Sequence, residues 1–146
     1  PYVTDEIPFY FFFARQVSMS YATEVCIFCP GGFGTLDELF EMLTLQQTGK
    51  LGRIPVILLG VDFWTPLQSF IEKVLLEKYH TISPGDLNLY TITDDDELIL
   101  EIISDSRLRD GQDALESLRM KLLRIKKSPF GDFLMLIFSS FCQHKT

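Results

Sequence analysis

The stretch PGGFGTLDE at residues 30–38 decides how this chain is organised. A short apolar segment of strand length, residues 25–29, precedes it. A glycine-rich turn between a buried strand and a helix leaves backbone N–H groups free at the positive end of the helix dipole, which suits an anion such as a phosphate. The stretch therefore predicts a strand, a turn and a helix around a candidate phosphate site. The apolar residues that indicate the helix are Leu39, Phe40, Met42, Leu43 and Leu45.

Strands and helices are expected to alternate on both sides of this turn. The apolar pattern of residues 54–60 is typical of a central parallel strand, buried on both faces. Alternation of this kind favours one half of a doubly wound α/β fold with a parallel sheet. The predicted strands are residues 24–29, 54–60 and 89–92. The first predicted helix runs from Thr4 or Asp5 to about Ala22, and the second runs from Leu36 to near Gly49. The third begins at Thr65-Pro66. The fourth runs from Asp95 to about Ser104, with Asp94 as its cap.

The first predicted helix has almost no polar face, so we expect it to be buried on all sides, by the sheet and by a partner subunit. Arg15 lies within this apolar stretch. Because a guanidinium is always charged, its burial is costly unless a carboxylate or a phosphate meets it. Two interpretations stay open: Arg15 reaches the surface or a structural acid, or it points into a functional site.

Composition bounds the class of protein. The 146 residues are 47% hydrophobic and 23% charged, which is typical of one globular domain. The net charge of −7 argues against a nucleic-acid binder. Three cysteines without a signal-peptide pattern favour a reducing, cytoplasmic setting, and the start at Pro1 suggests a piece of a longer protein. No apolar run is long enough to span a membrane.

The chain divides by its pattern into residues 1–108, a partial α/β domain, and residues 109–146, a helical C-terminal extension. Residues 112–127 are basic and amphipathic, and an apolar segment at residues 133–138 follows them. A membrane-surface anchor stays open for this extension. Packing on the domain or on a neighbouring subunit is the alternative that we favour.

Two local patterns have structural explanations. Cys26 and Cys29 are predicted to point to opposite faces of a strand, so we expect two core thiols and no zinc site. Thr35 and Glu38 stand at capping-box spacing, and spacing alone favours a cap. Alternatively, Glu38 lies beside a bound sugar phosphate and stabilises positive charge that develops on the ribose ring.

A family resemblance favours the second explanation. Residues 30–38 match the pattern Pro-Gly-Gly-x-Gly-Thr-x-x-Glu of the Lonely Guy (LOG) family, whose members have long been labelled lysine decarboxylases. Arg15 matches the arginine of the family's Arg-Lys pair, whereas Gln16 replaces the lysine. The likeness continues through residues 43–50 and 54–67 and covers about residues 1–105. The chain thus resembles a LOG protein over two-thirds of its length.

The resemblance implies a Rossmann-like parallel sheet flanked by helices, with N-terminal strands that this chain lacks, and a homodimer. It implies a nucleoside 5′-monophosphate N-glycosidase that releases a base, such as adenine or a cytokinin, and ribose 5-phosphate without a metal or an organic cofactor. Alternatives are a non-catalytic nucleotide-phosphate binder, favoured by Gln16, and an inactive fragment. The implied catalytic residues are Arg15 and Glu38, and the implied phosphate-binding residues are Gly31, Gly32, Gly34 and Thr35.

Overall fold

The computed structural model describes residues 10–105 and 135–138 of the chain. Within these residues, helices and strands alternate from α1 to α4. The strands are β1 (Val25–Phe28), β2 (Val56–Leu58), β3 (Thr91–Ile92) and β4 (Met135–Phe138). The α-helices are α1 (Phe12–Ala22), α2 (Phe33–Gln47), α3 (Val61–Phe70) and α4 (Asp96–Asp105). α3 continues as a π-helical segment (Ile71–Lys78), and a separate 3₁₀ helix (Pro84–Leu89) precedes β3.

The strands form one sheet in the order β3-β2-β1-β4. β1, β2 and β3 are parallel, with Ile27 opposite Ile57 and Ile57 opposite Thr91, which confirms the predicted α/β sheet. β4 pairs antiparallel with β1 and places Met135 opposite Phe28. Its four residues belong to the segment predicted as a helical extension, so a strand replaces a helix there. The other residues of 109–146 lie outside the described part.

Helices cover both faces of the sheet, because alternate side chains of each strand point in opposite directions. One face packs β1 and β2 against α4, and the other packs them against α2 and Trp64. Cys26 lies on the α2 side and Cys29 on the α4 side, which confirms their predicted separation. Both cysteines are buried free thiols. The fully buried Trp64 donates its indole N–H to the carbonyl of Leu59 at 3.1 Å.

α1 differs from its prediction in extent. It begins at Phe12, because the backbone of Phe11 is extended (φ −111°, ψ 132°), so no single helix runs from Thr4 or Asp5 to Ala22. Residues 1–9 lie outside the described part. Within the single chain, apolar side chains in and just before α1 face away from the protein, so their burial by a partner subunit stays a prediction. Those exposed in and just before α1 are Tyr10, Phe11, Phe13 and Val17.

Two of the other predicted helix starts were wrong by several residues. α2 begins at Phe33 instead of Leu36, because its first turn closes when Leu36 donates its N–H to the carbonyl of Gly32 at 3.1 Å. α3 begins at Val61 instead of Thr65, so that Pro66 lies within the helix. The predicted end of α2 is confirmed, since Gly49 takes the left-handed conformation there (φ 67°).

The predicted cap of α4 was also misplaced by one residue. Asp95, not Asp94, caps the helix, because its Oδ1 accepts the N–H of Glu97 at 3.0 Å. Asp94 instead accepts hydrogen bonds from Gly60 and Val61, at the start of α3. A helix long and apolar enough to cross a membrane is not found among the residues described.

Candidate active site

The glycine turn follows the carboxyl end of β1 and leads directly into α2. Gly32 is the residue before the helix, and no side chain caps it there. The N–H groups of the first turn of α2 thus start at this point of the turn, where the positive end of the helix dipole lies. This is the geometry that the sequence predicted for an anion site.

Gly31 and Thr35 lie in close contact across the turn. A Cβ at Gly31 would lie 2.1 Å from Thr35 Oγ1, so only glycine fits at this position. A Cβ at Gly32, by contrast, would meet no atom of the described residues within 4 Å apart from its chain neighbours, so the space beside it is open there. Thr35 itself is buried, with 7% of its surface exposed. The turn therefore packs against Thr35 at Gly31 and is open at Gly32.

A second loop supports the turn from the end of β2. Gly60 has a φ of 108°, and a Cβ there would lie 2.9 Å from Cγ of Pro30. Asp94, which follows β3, holds this loop through the N–H groups of Gly60 (2.6 Å) and Val61 (3.1 Å). The end of β3 is therefore linked to the glycine turn through the loop that follows β2.

Glu38 is the sixth residue of α2, in its second turn, with only 9% of its surface exposed. Burial raises the pKa of its carboxyl group, the neighbouring acids Glu41 and Asp37 raise it further, and the charge of Arg15 opposes them. The capping-box explanation does not hold, because Thr35 is the third residue of the helix and no side chain caps its start. Glu38 is thus a buried acid with no capping role.

α1 brings Arg15 and Gln16 to the start of α2. The charge of Arg15 acts on Glu38, so the two residues that the sequence paired are neighbours in the structure. The guanidinium is partly buried, as expected for an arginine that meets a carboxylate. Gln16, the residue at the family's lysine position, donates from Nε2 to Asp37 Oδ2 at 3.5 Å. α1 therefore contributes one charged and one neutral side chain to acids of α2.

The structure thus brings together Arg15, Gly31, Thr35 and Glu38, whereas Gly32 and Gly34 form the exposed rim. Sequence reasoning missed two neighbours of this group. Burial and the Glu38 carboxylate raise the pKa of the Cys26 thiol to about 12, so Cys26 is a neutral thiol under Glu38. Phe33, in the first turn of α2, is 93% exposed. An aromatic residue between two glycines was the available signal for a ring at the rim.

The acids and thiols of this region do not form a metal centre. Across residues 10–105 and 135–138, no group of three or more His, Cys, Asp or Glu side chains could hold a metal ion. What the site offers is a set of backbone donors at a helix start, a buried carboxyl group and a guanidinium. Such a set can bind an anionic group and stabilise a neighbouring positive charge.

Comparison with known proteins gives similarities over the same part of the chain. Residues 1–103 match the model of the family described as "Possible lysine decarboxylase". The chain is 35% identical over 88 residues to "Probable cytokinin riboside 5'-monophosphate phosphoribohydrolase LOGL6" of Oryza sativa subsp. japonica. The aligned residues cover 60% of this chain and 34% of that protein. The chain is 42% identical over 71 residues to "Cytokinin riboside 5'-monophosphate phosphoribohydrolase LOG7" of Arabidopsis thaliana. The aligned residues cover 48% of this chain and 31% of that protein.

These matches agree with the resemblance seen in the glycine motif. The chain spans about a third of the length of the curated relatives that it matches. The family match extends over more than half of the chain and includes Arg15, the glycine turn and Glu38. The chain therefore belongs to the possible lysine decarboxylase family, which contains the LOG proteins.

Proposed function

We propose that this chain carries the catalytic centre of a nucleoside 5′-monophosphate N-glycosidase, which releases a free base and ribose 5-phosphate. The observation that carries the proposal is the pairing of a buried Glu38 with Arg15 beside an open glycine turn. Relatives of this chain are named as phosphoribohydrolases of cytokinin riboside 5′-monophosphates. A purine such as adenine, or an N6-substituted adenine, is the base that we propose.

In this proposal the 5′-phosphate binds at the start of α2. Gly31, Gly32 and Gly34 offer backbone N–H groups at the positive end of the helix, and Thr35 offers its hydroxyl group. The absence of any atom within 4 Å of a Cβ at Gly32 supports this, because a ligand needs that space. The phosphate would then hold the ribose within reach of the buried Glu38.

Glu38 acts on the ribose once the phosphate is in place. As the bond between C1′ and the base nitrogen breaks, positive charge develops on the ribose ring, and an ionised carboxylate stabilises it. Water then adds to C1′ and loses a proton, while the base leaves with a proton on its nitrogen. Burial strengthens this effect, because the carboxylate acts in a medium of lower dielectric constant than water.

Arg15 keeps Glu38 ionised in this proposal. Burial and two neighbouring acids raise the pKa of the Glu38 carboxyl group, and the positive charge of Arg15 opposes them. A positive guanidinium beside the carboxylate favours its charged form. Arg15 would also orient the substrate, because its donors lie in a planar fork that suits phosphate and hydroxyl groups.

The deciding experiment incubates the whole chain with AMP and with an N6-substituted AMP, and measures released base and ribose 5-phosphate by chromatography. We expect release from both nucleotides and none from adenosine, which lacks the phosphate. Glu38→Gln should abolish release while nucleotide binding remains. Release that is equal for AMP and adenosine, or unchanged in Glu38→Gln, would refute the proposed roles.

We also propose that two copies of the chain pair through the exposed aromatic face at the start of α1. Tyr10, Phe11 and Phe13 are exposed there, with Phe11 stacked on Phe13 at a ring-centroid distance of 5.5 Å. Clustered aromatic side chains are typical of interface cores. Light scattering should give twice the monomer mass, and Phe13→Asp should reduce it to the monomer mass. A monomeric wild-type chain would contradict this proposal.

A second function, nucleotide binding without catalysis, is favoured by one contact. Gln16 is neutral and donates to Asp37, so the position of the family's lysine supplies no positive charge to this acid. If this function is correct, calorimetry shows AMP binding while no base is released. Gln16→Lys then tests the cause, because a lysine at this position should strengthen phosphate binding and should permit release.

A further inference from the structure

A cavity of about 90 Å³ lies at the opposite edge of the sheet from the glycine turn. Val56 and Thr91, the first residues of β2 and β3, line it, whereas the glycine turn follows the last residues of the strands. Gln46 of α2 and Ile102 of α4 close it from the two faces of the sheet. The cavity is therefore separate from the candidate active site.

Gln46 brings a buried hydrogen-bond donor to the wall of this cavity. Its Oε1 accepts the N–H of Ile54 at 3.1 Å, which fixes the orientation of the amide group. Its Nε2 is buried and meets no acceptor among the residues that the structure describes, and only 7% of the side chain is exposed. A buried donor without an acceptor is unfavourable, so an acceptor from a ligand or from water is expected.

Arg53 supplies a positive charge to the same wall. Its Nη1 donates to the carbonyl of Asn88 at 3.3 Å, which holds the side chain at the cavity. A guanidinium has five N–H donors in a planar fork that matches a carboxylate. About half of the exposed wall is apolar, which leaves room for a short aliphatic group. The apolar lining residues are Ile54, Pro55, Val56, Leu89 and Ile102.

We propose that this cavity binds a small aliphatic carboxylate, with its carboxylate on Arg53 and Gln46 Nε2 and its carbon chain against the apolar wall. The volume equals that of about three water molecules, which limits the ligand to a few heavy atoms. Gln46 and Ile102 lie near the carboxyl ends of α2 and α4, where helix dipoles are negative. One negative charge, paired with Arg53, is therefore favoured over a dianion such as inorganic phosphate.

The test titrates the whole chain with propionate and follows the side-chain N–H signals of Gln46 and Arg53 by ¹H–¹⁵N NMR. We expect saturable shifts of both signals with a dissociation constant of about 1 mM. Propionamide has the same shape without the charge. It should bind at least about tenfold more weakly than propionate, as expected for the loss of a charge-assisted contact. Equal binding of both compounds, or no saturable shift, would overturn the proposal.

Two variants and a control assign the contacts. Gln46→Glu keeps the oxygen that accepts the N–H of Ile54 but replaces the N–H donor by a negatively charged oxygen. Arg53→Gln removes the positive charge at an exposed position, so this variant should still fold. Each should weaken propionate binding by about tenfold or more, whereas Lys73→Gln on the exposed π-helical segment should not change it. Unchanged affinity in Arg53→Gln, or a crystal grown with propionate that shows only ordered water in the cavity, would overturn the assignment.

Discussion

Asp94 accepts a 2.6 Å hydrogen bond from the backbone N–H of Gly60, so the end of β3 holds the loop that follows β2. That loop in turn contacts the glycine turn, because Gly60 packs against Pro30. The position of the candidate phosphate site therefore depends on a carboxylate far from it in sequence. In this place Asp94 acts as the cap of α3.

Asp94→Ala should destabilise the protein by about 1–2 kcal/mol, because two N–H groups at the start of α3 lose their acceptor. Chemical denaturation of the two chains measures this difference. Asp62→Ala, which changes an exposed acid in the first turn of the same helix, is the matched control and should cost less than about 1 kcal/mol. Equal losses in both variants would show that Asp94 is not the cap.

Gly31→Ala should cost about 1–3 kcal/mol, because the added methyl group would lie 2.1 Å from Thr35 Oγ1 and the turn must shift. Gly32→Ala adds the same methyl group where no atom lies within 4 Å, so its effect on folding should be below about 1 kcal/mol. Thermal unfolding compares the two variants. A reversed order of the two melting temperatures would contradict the packing of this turn.

Glu38→Gln should separate stability from activity. Because burial raises the pKa of Glu38, the folded protein holds this proton more tightly than the unfolded chain. As the pH rises from the ordinary pKa of a glutamate through the raised value, the wild type loses stability, whereas the glutamine variant lacks this loss. The variant should therefore gain stability relative to the wild type as the pH rises above the ordinary pKa of a glutamate.

The same variant should lose glycosidase activity by about 10²- to 10³-fold, because a neutral amide does not stabilise the positive ribose. Denaturation curves at several pH values and base release give the two readouts. Glu41→Gln, on the next turn of α2, is the control for removal of a neighbouring acid and should retain most of the activity. A glutamine variant that is less stable at every pH would show that Glu38 is stabilising when ionised.

Arg15→Gln should move the acidic limb of the pH–activity profile to higher pH, because the charge that lowers the pKa of Glu38 is removed. Arg15→Lys keeps the charge and should leave the limb nearly unchanged, although it loses the planar fork and binds substrate more weakly. The initial rate of base release, measured across pH, gives the position of the limb. A limb that stays in place in Arg15→Gln would contradict the electrostatic role of Arg15.

The order of strands and helices was predictable from the sequence because apolar periodicity sets it. Residues 54–60 are apolar at every position except the glycine and the proline, and β2 is buried on both faces as expected. The pairing of Arg15 with Glu38 followed from the cost of burying a charge and from the family motif. The first prediction depends on patterns that lie within a few residues of one another, whereas the second needed the family motif to join two distant positions.

The helix starts were harder to predict, because contacts from distant parts of the chain determine them. Thr65-Pro66 has the local chemistry of a helix start, yet Asp94 moves that start to Val61. The Thr35–Glu38 spacing has the chemistry of a capping box, yet the close approach of Gly31 to Thr35 places the threonine inside the helix. The strand β4 was missed for the same reason, since its partner β1 lies near the other end of the described chain.

The long separation in sequence between β1 and β4 affects the order in which the strands of the sheet assemble. β1, β2 and β3 are joined by single helical crossovers, so their pairings close short loops, whereas the pairing of Phe28 with Met135 closes the longest loop in the sheet. Loop-closure entropy rises with loop length, and contacts between distant residues slow folding. We therefore expect the three parallel strands to form first, with the edge beside the glycine turn covered only in the last step of refolding.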